Sequence, residues 1–165
     1  QQEKIWYPEW LQGAVIVINK SFFKELGRWN QDNFWMYFED PDLCLKVTNK
    51  GKKNAILRNV EIKHMHGGSS RRNPKTTAIT KSEVVTSSHV FIHIHTKGIN
   101  KFSLHMLIII NTLISWLLRT IITLPIFWTA SFKSNILTLI SIIKYYVSVP
   151  IRGTWKSKRL KNNEP

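Results

Sequence analysis

Apolar positions along the chain change character near residue 100, from short clusters to two long runs. Gly13-Ala14-Val15-Ile16-Val17-Ile18 is a β-branched run, and it predicts a buried strand. Asn19-Lys20-Ser21 breaks it. Ser21 to Gly27 then predicts a two-turn helix, with Ser21 as its N-cap and Gly27 just past its end. A polar loop from Arg28 to Asn33 leads into Phe34-Trp35-Met36-Tyr37-Phe38-Glu39-Asp40-Pro41-Asp42-Leu43-Cys44-Leu45. A helix should open there, with Asp40 or Asp42 in its first turn, and stop near Asn49-Lys50-Gly51. Asn54–Leu57 and Val60–His64 read as strands. Gly67 to about Lys81 reads as a polar loop. Ser82–His95 fits both helix and strand, and His93 and His95 alternating with Ile92 and Ile94 suit one strand face.

Beyond Asn100, Leu104–Ala130 holds only His105 and Arg119 as ionisable groups and is long enough to cross a bilayer. Asn135–Ile151 is a second apolar run, containing Lys144. Asn111, Ser115, Arg119 and Thr123 repeat every four residues, one polar stripe on a greasy helix. Thr138, Ser141, Lys144 and Ser148 repeat the arrangement on the second run. Spanning helices and helices lying in the membrane interface are both open. The interfacial arrangement costs less, because both stripes then meet water. The basic stretch from Arg152 has Trp155 as a headgroup-level anchor, or is a plain cationic tail.

Charge sharpens this picture. The net charge is +14, and from Val84 to Asn163 there is no acid at all. A basic, Ile- and Leu-rich half suggests an anionic membrane surface, with nucleic acid as the competing partner. The single Cys44 excludes an internal disulfide. The chain opens Gln-Gln-Glu, so it is expected to be a piece of a longer protein. No phosphate-gripping Gly-x-x-x-x-Gly-Lys and no Ser-His-Asp arrangement is present.

The candidate chemistry is confined to a few side chains. Glu39, Asp40 and Asp42 follow directly on large aromatics, so they sit at the mouth of a pocket, cap a helix, or both. Desolvation beside aromatics raises a carboxylate's pKa, which suits a general base. His64 and His66 end a predicted strand and are followed by Gly-Gly-Ser, a place from which an imidazole reaches a cavity and binds a metal. A surface or core-edge histidine is the plainer reading of a lone His-x-His.

Taken in order, five blocks resemble a known family: Trp10-Leu-Gln-Gly-Ala14; Phe22-Phe-Lys-Glu-Leu-Gly27-Arg-Trp-Asn30; Phe34 to Lys46; Gly51; and Ile62-Lys-His64-Met-His-Gly-Gly-Ser69. They look like the C-terminal half of family-2 inverting glycosyltransferases, nearest to bacterial rhamnosyltransferase-type members that build surface polysaccharides. The resemblance covers roughly residues 8–100. It implies an α/β fold, a partial GT-A (Rossmann-like) sandwich lacking its N-terminal nucleotide-binding half, followed by two long apolar helices. Residues 1–100 would be the acceptor-side half, 101–151 a membrane-associated helical hairpin and 152–165 a basic tail.

By that resemblance Asp40 is the catalytic base. Glu39 and Asp42 hold the acceptor or shape the base, and Trp10, Gly13 and Ala14 line the sugar and acceptor sites. His64 joins an Asp-x-Asp motif in holding a divalent cation, Mg²⁺ or Mn²⁺. The implied partners are a dTDP- or UDP-sugar donor (rhamnose by resemblance), a lipid-linked saccharide acceptor and a membrane surface, with no nucleic acid. The implied location is the cytoplasmic face of the inner membrane. One departure is plain: no Asp-x-Asp lies upstream of Trp10 in these residues, so the isolated chain is expected to be inactive. Strands near Gly13 and Ile62 would then present unpaired edges. The competing class is a non-enzymatic cationic module that binds membrane or nucleic acid.

Overall fold

The structure is a computed structural model that describes residues 4–64 and 73–160. Its elements are β1 (Ile5–Trp6), α1 (Lys20–Glu25), α2 (Glu39–Asn49), β2 (Ile56–Leu57), α3 (Pro74–His95), α4 (Gly98–Thr123), a 3-10 turn (Leu124–Ile126) and α5 (Ala130–Arg152). The chain is mostly helical. Among the described residues the sheet is one antiparallel ribbon, with Ile5 opposite Leu57 and Trp6 opposite Ile56. This corrects the expectation of an α/β sandwich.

The run Gly13–Ile18 is turn and coil, and Val17 is 95% exposed. Val60–His64 is exposed coil as well. A β-branched run becomes a strand only where a neighbour offers a hydrogen-bond ladder, and among the described residues none lies beside either run. Within Asn54–Leu57 the ladder reaches only the last two residues. The first half instead gathers α1 on α2. Leu26, Leu43 and Val47 form its core, with Ile18, Phe22, Phe23 and Trp29 packed round it.

Helix ends follow capping chemistry. Asn19, not Ser21, caps α1: its Oδ1 accepts from the backbone N–H groups of Ser21 and Phe22. Gly27 sits just beyond that helix at φ +80°, a backbone setting that favours glycine. The helix expected at Asp40 is present as α2, with Glu39, Asp40 and Asp42 in its first turn and Gly51 at φ +71° after its end.

Pro74 to His95 forms one helix, so the loop reading up to Lys81 and the strand face for His93 and His95 are both overturned. Asn73 caps it, accepting from Thr76 N–H at 2.9 Å, and Pro74 occupies the first turn where no donor is needed. Ile62 to His64 of the last block of resemblance is in the coil, while His66 and Gly67–Ser69 lie outside the described residues.

Helices α4 and α5 form a hairpin, and α3 packs along its inner side. Both hairpin helices are long and apolar enough to cross a membrane. Burial in this bundle is mixed: Val90, Ile92, Leu139 and Ile142 are inside, together with many polar side chains. Thr80, Glu83, Thr86, Ser87, His89, His105, Thr112, Thr120 and Thr138 are inside. Leu107, Ile110, Ile114, Leu118, Ile122, Ile143 and Val147 are outside. Small hydroxyl side chains at helix contacts and aliphatic ones outside are compatible with helices that associate with a membrane.

The polar stripes divide accordingly. Asn111 and Arg119 remain exposed on α4, whereas Thr138 and Ser148 of α5 are buried against the other helices. Asn135 crosses the hairpin, its amide donating to Thr123 Oγ1 at 3.3 Å.

Trp155 is not a free headgroup anchor. Its ring lies flat on His105 (centroids 4.2 Å, 7° between planes) and on His89 (4.5 Å, 15°). Those two imidazoles share a hydrogen bond of 2.7 Å between their Nδ1 atoms, and His89 Nε2 meets the Tyr146 hydroxyl at 3.1 Å. The segment after α5 therefore folds back. Lys156 Nζ donates to Asp32 O, and Arg159 pairs with Glu83 while its guanidinium covers the Trp35 ring.

Candidate active site

The site is built where the aromatic segment turns into α2. Tyr37 and Phe38 both have φ +67°, unusual for large side chains and costing about 1–3 kcal/mol each. Packing against α3 holds them there. Ser87 Oγ donates to Met36 O at 2.6 Å, Phe38 meets Phe91 at 5.5 Å, and Phe34 is buried. The double left-handed turn sets the direction in which α2 begins, and so where Glu39 and Asp40 are carried.

Opposite the start of α2 runs the coil from Glu9 to Ala14. The buried Asn54 amide clamps it, donating to Glu9 O at 2.8 Å and to Cys44 O at 3.4 Å. Leu11 N–H points at Cys44 Sγ at 3.3 Å. Gly13 N–H then donates to Asp40 Oδ2 at 2.7 Å. A Cβ on residue 13 would stand 2.1 Å from Asp40 Oδ1 and 2.5 Å from its Cγ. Only glycine lets this backbone meet that carboxylate.

The electrostatics follow from partial burial. Desolvation raises the Asp40 pKa above the ordinary carboxylate value, and the Gly13 N–H pulls it partly back. Glu39 is raised mainly by burial, opposed by its own backbone N–H and reinforced by the neighbouring charge of Asp40. Glu39 Oε2 is buried without a hydrogen-bond partner. The Cys44 thiol, buried and pushed up, stays protonated and packs rather than reacts.

The other sequence candidates fall in different places. Asp42 is 1% exposed, and both its oxygens are engaged, Oδ1 by His95 Nε2 and Oδ2 by Lys46 Nζ, each at 2.8 Å. It ties the first turn of α2 to the last turn of α3. Trp10 is 58% exposed and Ala14 lies in an exposed turn, both on the coil that carries Gly13. His64 is in exposed coil after β2. Among the described residues no three His, Cys, Asp or Glu side chains converge to hold a metal, so the fit of a divalent cation rests on His64 alone and no step is derived through one. The structure thus joins Asp40, Glu39 and Gly13 in one place and gives Asp42 to the scaffold.

Against family models, curated proteins and solved structures, the chain has no match. Sequence reasoning missed Asn54, Leu11 and His95. Asn54 carries no local signal, because its partners are 45 and 10 residues away. His95 was legible only as a helix position four residues after Phe91, whose ring it meets at 4.5 Å.

Proposed function

We propose that this chain is the acceptor-side half of an inverting glycosyltransferase seated on a membrane, with Asp40 as general base. The observation that carries this reading is the Gly13–Asp40 contact. One carboxylate oxygen is fixed by a backbone N–H, and the other remains for a substrate proton. The raised pKa makes Asp40 a stronger base than a free carboxylate. Asp40 takes the proton of an acceptor hydroxyl as its oxygen attacks the anomeric carbon of the sugar. The nucleoside diphosphate leaves on the opposite face, so the configuration inverts. Glu39 Oε2, lacking a partner, accepts a second hydroxyl and orients the acceptor. The donor, a dTDP- or UDP-sugar such as rhamnose, belongs to the half of the family fold that these residues do not include.

The apolar outer face of α4 and α5 supplies the reason for a lipid-linked acceptor: the hairpin keeps Asp40 at the membrane where that acceptor resides. By the same reading the site works at the cytoplasmic face of the inner membrane, where nucleotide-sugars are made. The test is Asp40→Asn in the full-length protein, with radiolabelled sugar transfer and a melting curve measured together. Transfer should vanish with the melt unchanged. Retained transfer overturns the assignment. A second reading, a cationic membrane-binding module without catalysis, rests on the net charge of +14 and the same apolar face. It predicts vesicle binding with no transfer in any variant.

A further inference from the structure

By length and composition the α4–α5 hairpin could cross a bilayer or lie in its surface, and the neighbours of α3 bear on which. Helix α3 runs beside the middle of both hairpin helices. Toward α4, His89 bonds His105, and Lys81 stands 5.1 Å from the centre of the Trp116 ring. Toward α5, His89 meets the Tyr146 hydroxyl, and Ser82, Glu83 and Thr86 line one cleft with Ser141, Lys144 and Tyr145. His105 and Trp116 stand on either side of the midpoint of α4, and Ser141 is at the midpoint of α5.

At the same height α3 holds irregular, polar chain on another flank. Ser87 donates to Met36 O at 2.6 Å, Arg159 pairs with Glu83 while covering Trp35, and Lys156 donates to Asp32 O. A hairpin set across a bilayer would carry Lys81, Glu83, Lys144 and Arg159 to mid-depth, and the non-helical backbone of Phe34–Phe38 with them. Charged side chains at that depth are costly, and non-helical backbone is kept there only inside protein or beside water. A hairpin lying flat leaves all of these groups on one side and gives lipid the other.

The other side suits that placement. Leu107, Ile114 and Ile121 repeat every seven residues on the exposed face of α4, and Ile140 and Val147 do so on α5. The cations of the central turns lean away from this face. The Arg119 guanidinium lies on Trp116, the ring that Lys81 of α3 also covers, and Lys144 reaches the cleft beside Glu83. Long cationic side chains at an apolar border carry their charge to headgroup level. Lys97, Lys101 and Arg152 add cations at the open end of the hairpin, in a stretch from Val84 to Asn163 without an acid, so the complementary surface is anionic.

We propose that α4 and α5 lie flat in one leaflet of an anionic membrane, their outer face on the acyl chains, both ends of the hairpin on one side and α3 above it on the water side. This arrangement rests on the membrane association proposed above and not on the role of Asp40.

The test places single cysteines in the full chain: Asn100→Cys at the start of the hairpin, Ser131→Cys at its turn, and Ile114→Cys and Val147→Cys on the outer face, all at exposed positions. Sealed membrane vesicles of both orientations from expressing cells are treated with a membrane-impermeant maleimide, and the parent, whose Cys44 is buried, sets the background. Asn100→Cys and Ser131→Cys should label in the same vesicle orientation. Ile114→Cys and Val147→Cys should stay at background until detergent dissolves the bilayer. Labelling of Asn100→Cys and Ser131→Cys in opposite orientations means that the hairpin crosses, which overturns this arrangement and leaves the membrane reading standing. Labelling of the two outer-face variants in intact vesicles overturns both. Protection that persists in detergent puts a second copy or another protein on the face instead of lipid, and overturns the arrangement too. The purified chain should also sediment more with vesicles containing phosphatidylglycerol than with phosphatidylcholine alone, and equal sedimentation overturns the anionic leaflet. None of these readouts involves sugar transfer.

Discussion

His95 Nε2 meets Asp42 Oδ1 at 2.8 Å, joining the last turn of α3 to the first turn of α2 across 53 residues. Lys46, one turn along α2, holds the other oxygen. The helix that carries the candidate base is thereby bolted to the helix that lies on the apolar hairpin. With the Ser87–Met36 hydrogen bond and the Phe38–Phe91 ring contact, this carboxylate fixes the start of α2 against α3.

Asp42→Ala leaves an imidazole and an ammonium without their shared acceptor. It should lower stability by about 2 kcal/mol, measured by denaturant titration in micelles. Asp42→Asn keeps one acceptor and should cost less. If both variants unfold at the same denaturant concentration as the parent, the link does not hold α2 to α3.

Gly13→Ala tests the close approach. The added carbon cannot coexist with the Asp40 carboxylate where it stands, so the base or the coil must shift. A displacement near 1 Å costs about a hundredfold in turnover, so under the proposed function kcat should fall by that order with KM for the nucleotide-sugar little changed. The parent's rate should decline as pH falls through the raised pKa of Asp40, because only the ionised carboxylate accepts a proton. That limb should therefore lie above the ordinary carboxylate range.

His89 carries a separate pH signature. Burial, aided by His105, lowers its pKa from 6.5 to about 3. The groups facing it are His105 from α4, Tyr145 and Tyr146 from α5, and the Trp155 ring. The unfolded chain binds a proton at this position before the folded one does, so stability is full above the unfolded value and drains away on acidification between these two pKa values. Melting temperatures measured down that range should drop, and His89→Phe should flatten the drop. A parent curve that does not change with acid would contradict the neutral, buried imidazole.

On the hairpin, Ile122 is 73% exposed and lies on the greasy outer face. Asp costs up to about 2.5–3.5 kcal/mol at the centre of a spanning helix, less near its end as here, and next to nothing if water covers it. Ile122→Asp should move the protein from the membrane pellet to the supernatant, whereas Lys133→Ala, on the same hairpin, should not. Equal partition of both variants would mean that this face is not in lipid.

Residues with strictly local causes were legible in advance. The acids in the first turn of α2, Gly27 and Gly51 past their helices, and two apolar runs, the first long enough to cross a bilayer, all follow from capping, backbone conformation and length. Asn73-Pro74 was an equally local helix start, hidden by the loop-like composition just before it. What the sequence by itself determined, then, was which segments begin, end and avoid water. Only tertiary structure decided the partners. Gly13–Ile18 has strand chemistry but no ladder, so it became the coil whose glycine amide meets Asp40. Trp155 has interfacial chemistry, yet stacks on two imidazoles, and Asp42 went to a histidine 53 residues away. A hydrogen bond or a stacked ring needs a second group at a fixed distance, and that distance is set by the folding of the whole chain.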